Sequence, residues 1–315
     1  MKRMVALCIT LAALFAHADE PWPARPVRII VPSAPGGGTD VFARLLAQAM
    51  GEALKQPFVV ENRPGANGNI GAEAAARSKP DGYTFLVSAN ASISINPAIQ
   101  PSQTFDVTKD LVPVARGVWA VNVLVVNPSV GAKNFAGFIA AAKRQPGSLA
   151  FGSPGTGTAP YLGARMIQDA AGLDVLHIPY KGVGPAYQDL IGGRLQFMYT
   201  DLASVGPFIE PGKVNVLAVD RPTPLLPGVP TFRESGLVFD APTSFSVMAP
   251  AGVPPLILQR AAEQVAASLK VLAPRLEQQG LVPVYDTPIR FADDLARERA
   301  VWADFIRRNK ITADQ

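Results

Sequence analysis

The chain has 315 residues, of which 48% are hydrophobic and only 17% charged, enough for one large core or two smaller ones. This composition excludes extensive disorder. The formal net charge is +4 and no run of five like charges occurs, so the electrostatic pattern of a nucleic-acid-binding protein is missing and nucleic acid is excluded as a partner.

The first segment has the three parts of a secretory signal peptide. Lys2 and Arg3 precede an apolar run over residues 4–15, and small residues follow it. The run is too short to span a bilayer of about 30 Å, although an uncleaved anchor is the alternative. We predict that residues 1–18 are a signal peptide cleaved before Asp19 and that the mature protein is periplasmic.

Cysteine and histidine are scarce. Removal of the signal peptide deletes Cys8 and His17, which leaves no cysteine and a single histidine, His177. Without thiols, a disulfide framework and a cysteine nucleophile are excluded, and one histidine cannot supply the usual zinc site. We therefore predict no metal site.

Strands and helices alternate in the first third of the chain. This alternation predicts a mainly parallel sheet flanked by helices. The predicted elements are a strand at 27–31, a glycine loop at 35–40, a helix at 41–54, a strand at 58–60, a further glycine-containing segment at 62–71, an alanine-rich helix ending near Arg77 and a strand at 83–88.

A long apolar stretch at 112–126 then predicts a crossover into a second lobe, where the order of strand, glycine loop and helix recurs. The two lobes, 19–122 plus 245–315 and 123–244, are expected to face a cleft, a preferred place for a ligand. The later elements are strands at 149–151, 175–178, 196–199 and 214–219, a return strand at 244–249, and helices at 160–171, 254–272 and 289–307.

Two glycine loops precede helices in corresponding positions of the two lobes: the first glycine loop at 35–40 and the second glycine loop at 152–158. A helix start has unpaired N–H groups and a partial positive charge, so bare loop amides there can approach an anion. We expect Thr39 or Asp40 to cap the first helix. A nucleotide site is disfavoured, because the first loop lacks the Gly-Lys-Ser/Thr ending of a Walker loop and Pro160 interrupts a GxGxxG pattern in the second. Ordinary tight turns are the alternative.

The candidate ligand-binding residues belong to these loops or follow predicted strands, and ordinary turn or core roles are their alternative. Asn67 and Asn69 are further hydrogen-bond candidates, and Trp119 and Tyr161 are further candidates for the pocket wall. The candidates are Ser33, Ala34, Gly36, Gly37, Gly38, Thr39, Asp40, Ser88, Asn90, Ser153, Gly155, Thr156, Gly157, Thr158, Ala159, Thr200, Asp201 and Phe245.

A serine hydrolase is the rival hypothesis. Ser153, Asp169 and His177 follow the chain order of an α/β-hydrolase triad. Phe151, however, occupies the place where the nucleophile turn requires glycine, and the three residues fall within one short segment, whereas triads are assembled from distant loops. We therefore predict no catalytic residue.

Six motifs together resemble one known family, the extracytoplasmic solute receptors of tripartite tricarboxylate transporters, also called Bug receptors. The similarity runs from Pro26 to the C-terminus. The motifs are Arg-Pro-Val-Arg-Ile-Ile-Val-Pro at 25–32, Pro-Gly-Gly-Gly-Thr-Asp at 35–40, Val-Glu-Asn-Arg-Pro-Gly-Ala at 60–66, Pro-Asp-Gly-Tyr-Thr at 80–84, His-Ile-Pro-Tyr-Lys-Gly at 177–182 and Ala-Pro-Ala-Gly at 249–252.

The resemblance implies an α/β periplasmic-binding-protein fold of the Venus flytrap kind, type II-like, with two lobes that close around a small organic mono- or dicarboxylate. It implies no cofactor and no catalysis, and we expect a monomer. The loops at 33–40 and 153–159 would hold the carboxylate, partly through ordered water. The partners would be the membrane subunits of the transporter, or a sensor kinase in some relatives.

The second loop departs from the family pattern. Pro154, Thr156, Ala159, Pro160 and Tyr161 stand where many relatives have hydroxyl residues and a histidine. Pro160 has no N–H group to offer. The second lobe is therefore expected to supply fewer donors and a more apolar wall, which leads to the hypothesis of an aromatic or longer-chain carboxylate.

Overall fold

The computed structural model describes residues 22–100, 104–238 and 241–312. The predicted signal peptide lies outside the described residues. Along the described ranges, we find no helix that combines the length and the apolar character needed to cross a bilayer.

Two β-sheets organise the described part of the chain. The strands are β1 (Val27–Val31), β2 (Phe58–Asn62), β3 (Thr84–Ala89), β4 (Leu111–Ala120), β5 (Asn122–Val126), β6 (Ala150–Ser153), β7 (Leu176–Pro179), β8 (Phe197–Asp201), β9 (Asn215–Val219), β10 (Thr243–Pro250) and β11 (Leu281–Pro283). The first sheet has the order β11-β4-β10-β3-β1-β2, and the second has the order β7-β6-β8-β5-β9.

Helices flank both sheets. The α-helices are α1 (Gly38–Leu54), α2 (Asn69–Ala76), α3 (Asn96–Ile99), α4 (Phe135–Arg144), α5 (Ala159–Ala171), α6 (Val183–Ile191), α7 (Leu202–Val205), α8 (Pro255–Glu277) and α9 (Pro288–Arg308), with a π-helix at Ala91–Ile95 and short 3-10 turns at Ala66–Gly68, Pro128–Val130 and Gly206–Phe208. The two-lobed α/β fold class is thereby confirmed, and we call the parts built on the first and second sheets the first and second lobes.

The pairing inside the sheets is mixed, which corrects the expectation of mainly parallel sheets. β1 pairs in parallel with β2 and β3, while β10 runs antiparallel to β3 and β4. In the second sheet, β6 pairs in parallel with β7 and β8, and β5 runs antiparallel to β8 and β9. The antiparallel pairs arise because β4, β5 and β10 carry the chain between the lobes and do not belong to βαβ units.

The crossing between the lobes is short and tied by polar groups. β4 ends at Ala120 and β5 begins at Asn122, so one residue separates the two sheets. Asn122 donates from its backbone N and its Nδ2 to the Asp220 carboxylate, at 3.0 and 2.9 Å. The Thr243 hydroxyl, at the start of the return strand, donates to Asn122 Oδ1 at 2.8 Å. The boundaries predicted at 122 and 244 stay predictions.

Two helices, α9 at the C-terminus and α3 in the first half of the chain, bring the lobes into contact. Phe291 and Leu295 of α9 pack in the core of the first lobe, whereas Trp302 and Ile306 of the same helix pack in the core of the second. Ile99 of α3 also packs in the second core. The lobes therefore share apolar contacts beside the crossing strands.

Candidate ligand-binding cleft

A cavity of about 770 Å³ lies between the two lobes. Both glycine loops and both helix starts contribute to its wall. The sequence predicted a cleft between the two lobes, and the structure brings the loops together there. The predicted residues that line the cavity are Ser33, Ala34, Gly37, Gly38, Thr39, Gly155, Thr156, Thr158, Ala159, Asp201 and Phe245.

Seven of the predicted residues do not line the cavity. Ser88 donates to the carbonyl of Ala89, and Asn90 donates to the carbonyl of Pro242 and to Glu298. The Thr200 hydroxyl is 2.6 Å from the Tyr187 hydroxyl in the second core. These side chains hold the ends of β3 and β8. The seven are Gly36, Asp40, Ser88, Asn90, Ser153, Gly157 and Thr200.

The first loop leaves the start of α1 open. Gly37 is the N-cap residue, in an extended conformation, and no side chain caps this helix, contrary to the expectation that Thr39 or Asp40 would do so. Within the described residues, the amides of Gly38 and Thr39 have no hydrogen-bond acceptor. Both residues line the cavity. Two bare amides at the positive end of a 17-residue helix therefore face the cleft.

Asp40 folds back and fixes the loop from behind. Its Oδ2 accepts from the backbone N of Gly36 and from Arg44 Nε, both at 3.0 Å, and its Oδ1 accepts from Asn62 Nδ2 at 2.9 Å. Burial alone raises the pKa of the Asp40 carboxyl, but the hydrogen bonds from Arg44, Gly36 and Asn62 outweigh burial, and the pKa is lowered. Asp40 is thus a charged anchor of the loop, outside the cavity wall.

The second loop uses most of its own donors. Thr158 caps α5, because its Oγ1 accepts from the backbone N of Tyr161 at 3.4 Å and donates to the carbonyl of Gly155 at 2.7 Å. The backbone N of Thr158 donates to the same carbonyl at 3.3 Å. Pro160 has no N–H group. At this helix start, Ala159 has a cavity-lining amide without an acceptor in the described ranges.

The lobes touch at the rim of the cavity. Asn67 Nδ2, from the first lobe, donates to the carbonyl of Thr156 in the second glycine loop. The carbonyl of Asn67 accepts from Asn96 Nδ2 at 2.8 Å and from the Ser92 hydroxyl at 3.3 Å. Asn67 has φ +53°, a left-handed conformation that asparagine tolerates better than most residues. The contact joins the lobes in a closed arrangement.

Two charged residues of opposite sign, Lys181 and Asp201, line the cavity. Asp201 is only 7% exposed, and its Oδ1 accepts from the backbone N of Ser204 at 2.9 Å. Burial raises the pKa of the Asp201 carboxyl. Lys181, by contrast, is exposed to solvent. The described residues include no group of three or more His, Cys, Asp or Glu placed to hold a metal ion.

Ser153 and His177 form a hydrogen-bonded pair, and among the described residues no third member of a triad joins them. Ser153 Oγ lies 2.8 Å from His177 Nε2, and Ser153 is fully buried outside the cavity wall. Burial, reinforced by the positive charge of Arg165, lowers the pKa of His177 to about 4. Asp169 pairs with Arg165 at 3.7 Å. Across the described segments no carboxylate contacts the imidazole, so this pair lacks the geometry of a serine nucleophile.

The ring of His177 is enclosed by two aromatic side chains. The centroids of Phe151 and Tyr161 lie 4.8 and 4.6 Å from it. Tyr161 therefore packs behind the second loop, and Trp119 lies against Arg116 in the first lobe. Neither of these two candidate wall residues lines the cavity.

Sequence reasoning missed several wall residues. Pro64, Gly65 and Ala66 of the first lobe line the cavity, and so does the segment 179–183 of the second lobe. A Cβ on Gly182 would lie 3.2 Å from the Cβ of Ala34, so these two segments meet closely. The signal for both was present in the sequence, since they overlap the motifs at 60–66 and 177–182 that carry the resemblance.

Comparisons with known proteins agree with this geometry. The model of the tripartite tricarboxylate transporter family receptor matches residues 42–306. The protein BugT from Bordetella pertussis (strain Tohama I) is 37% identical over 312 residues, which cover 96% of this chain and 95% of BugT.

Solved structures show the same fold. A Rhodopseudomonas palustris protein, Rpa4515 with adipate, superimposes with a TM-score of 0.89 at 30% identity, covering 92% of this chain and 99% of that protein. MatC from the same species, with bound malate, superimposes with a TM-score of 0.81 at 27% identity, covering 90% and 99%. Adipate and malate are both small dicarboxylates.

Proposed function

The chain belongs to the tripartite tricarboxylate transporter receptor family, and from that premise we propose that it is a periplasmic receptor whose lobes close around a small organic mono- or dicarboxylate. The observation that carries this proposal is the pair of bare amides, Gly38 and Thr39, at a helix start that faces a cavity between closed lobes. Adipate and malate in two neighbours support the ligand class.

Backbone donors suit this task. The N-terminus of α1 carries about half a positive charge, and a carboxylate there gains roughly 0.3 to 1 kcal/mol when exposed and about 2 kcal/mol when partly buried. Ala159 adds one amide from the second lobe. Closure removes water, which strengthens each contact and favours the closed form by the difference in affinity between the two states. Ordered water can bridge the remaining distance to the second loop.

The proposed role is delivery, with the membrane subunits of a tripartite transporter as partners. A sensor role beside a signalling kinase is the alternative that uses the same closed form. In proteoliposomes that contain the two membrane subunits, a delivery protein should increase uptake of its carboxylate. A sensor would leave that uptake unchanged.

Thermal unfolding with a ligand panel tests the ligand class. We expect at least one of succinate, malate, adipate, benzoate and 2-aminohexanoate to raise the melting temperature, because a ligand at 100 times its Kd adds about 2.7 kcal/mol of stability. The corresponding primary amides, which keep the shape and lose the charge, serve as controls and should have little effect. If no carboxylate stabilises the protein, or if the amides stabilise it equally, the proposal is wrong.

A further inference from the structure

We propose that the ligand carries a positively charged amino group in addition to its carboxylate, and that Asp201 contacts this amino group. The inference rests on the proposed function, since it assigns a second recognition contact to the same cleft. Asp201 is then a specificity-determining residue, and the preferred ligand is an amino acid in preference to a plain mono- or dicarboxylate.

The first observation is that Asp201 is buried without a cation. The side chain lines the cavity and is 7% exposed, and no Lys, Arg or His in the described ranges lies within salt-bridge distance of it. The Asp201 carboxylate accepts a hydrogen bond from the backbone N of Ser204, which is a neutral donor. Buried carboxylates are normally paired with a positive charge, because desolvation of an unpaired one is costly. A ligand ammonium would supply the missing charge.

The second observation is the position of Asp201 relative to α1. A Cβ on Gly38 would overlap the Asp201 carboxylate, so this carboxylate of the second lobe lies directly against the open helix start of the first. A carboxylate of the ligand bound to the amides there would lie close to Asp201. A ligand with a second carboxylate at this end would meet like charge, whereas an ammonium would lie between two negative groups.

The third observation is that the two charges of the cavity wall are separate. Lys181 is exposed and makes no ion pair among the described residues, and it does not pair with Asp201. The cleft therefore presents a negative group in its interior and a positive group at an exposed position. A ligand that itself carries both signs is complementary to this arrangement, and a ligand of one sign is complementary to only half of it.

A purely structural role does not require the charge of Asp201. Asp201 caps the short helix α7 by accepting from the backbone N of Ser204, and asparagine caps a helix about as well. Asn127 and Asn134 cap two other helices of this chain through their side chains. Burial raises the pKa of Asp201, which is the expected cost of an ionised group kept there without a partner. The substitution Asp201→Asn therefore isolates the charge.

The test is calorimetric titration of the full mature chain with matched probes. The series at six carbons is hexanoate, adipate, 6-aminohexanoate and 2-aminohexanoate, and the series at four carbons is butanoate, succinate, 4-aminobutanoate and 2-aminobutanoate. We expect at least one amino acid to bind ten or more times tighter than both matched compounds without the amine. In Asp201→Asn this preference should disappear, and the dicarboxylate should bind tighter than it does to the wild type.

Asp174→Asn is the matched control, because it removes one carboxylate from an exposed position of the second lobe, away from the cavity. It should keep the amino preference of the wild type. If the compounds without an amine bind as tightly as the amino acids, or if Asp201→Asn keeps the preference, the inference fails while carboxylate binding stands. If none of the probes binds, the proposed function and the inference fail together.

Discussion

The two glycine loops follow strands in the two lobes, precede helices and line one cavity, yet they use their backbone amides differently. In the first loop, Gly37 has no side chain to cap α1, and the amides of Gly38 and Thr39 stay open to the cleft. In the second loop, Thr158 caps α5 and its own amide is satisfied inside the loop. The first loop therefore offers hydrogen-bond donors to a ligand, whereas the second loop serves mainly as a wall of the cavity.

The difference has a simple cause. A glycine N-cap leaves the helix-start N–H groups unpaired, whereas a threonine N-cap satisfies one of them and Pro160 removes another. We therefore assign anion binding mainly to the first loop. The second loop contributes the carbonyl of Thr156, through which Asn67 joins the lobes.

The largest effect is expected from Gly38→Ala. The new Cβ would overlap the carboxylate of Asp201 in the second lobe, so the lobes could not reach the closed position while the first loop keeps its amides in place. Since closure supplies much of the binding free energy, we expect a loss of affinity of about 100-fold, equivalent to about 2.7 kcal/mol. Calorimetric titration with the best carboxylate of the thermal panel measures this loss.

Gly184→Ala is the control for this substitution. Gly184 lies in α6 of the second lobe, outside the cavity wall, and a Cβ there would meet no atom within 4 Å. Affinity should stay unchanged, and the helix should gain up to about 1 kcal/mol from the better helix former. Equal affinities for Gly38→Ala and wild type would show that the first loop does not bind the anion in the closed form.

A smaller effect is expected from Asn67→Gly, which tests the second loop as a closing wall. Glycine keeps the left-handed backbone of this position and removes the donor to the carbonyl of Thr156. The loss of one hydrogen bond, worth about 1 to 1.5 kcal/mol, should weaken binding about tenfold. Small-angle scattering of the ligand-free protein should show a larger radius of gyration than that of the wild type.

Asn134→Gly is the matched control, since it removes the same side chain from the N-cap of α4, remote from the cleft. It should cost only a few tenths of a kcal/mol of stability and leave affinity unchanged. An unchanged affinity and an unchanged radius of gyration in Asn67→Gly would refute the closing role of the contact.

The strands around the first loop were the part of the fold most readily predicted. β1 coincides with the predicted strand at 27–31. Helix α1 ends where predicted but begins earlier, at Gly38. These elements are strongly periodic and punctuated by glycine or proline. Helices α4 and α6 were not predicted, because at 10 and 9 residues they are shorter than the window over which a helical repeat of apolar residues is recognised. The antiparallel pairing of β10 was also missed, since strand direction depends on contacts distant in the chain.

The candidate site could be predicted down to its loops but not to the direction of each side chain. Asp40 and Asp201 both lie next to helix starts in the sequence, yet Asp40 turns toward Arg44 behind the loop and Asp201 turns into the cavity. The difference depends on the neighbouring elements that each residue meets after folding. Lys181 was missed as a wall residue although it belongs to the motif at 177–182 that carries the resemblance.

A pH effect is expected from His177, which packs behind the second loop. Its folded pKa of about 4 is below the ordinary value of 6.5, so the unfolded chain takes up a proton first as the pH falls. This group therefore reduces stability between about pH 6.5 and pH 4, by at most about 1.4 kcal/mol per pH unit, and has no effect above that range. His177 is partly exposed, which reduces the magnitude.

Urea unfolding of the wild type and of His177→Gln at several pH values measures this contribution. The carboxylates titrate equally in both proteins, so the difference between the two curves isolates the histidine. The wild type should lose more stability than the variant from pH 6.5 to pH 4. Parallel curves would mean that the second loop does not bury the imidazole.

The smallest effect on binding is expected from Ser153→Ala, at the strand end that leads into the second loop. The Ser153 hydroxyl is buried and serves His177 and the backbone of Gly155, so its removal should lower stability by about 1 kcal/mol and change carboxylate affinity less than threefold. A serine hydrolase would lose ester turnover by several orders of magnitude in the same variant. Calorimetry measures the carboxylate affinity of the wild type and of Ser153→Ala, and a panel of esters measures their turnover. Together the two measurements show whether Ser153 only supports the cavity wall or acts as a nucleophile.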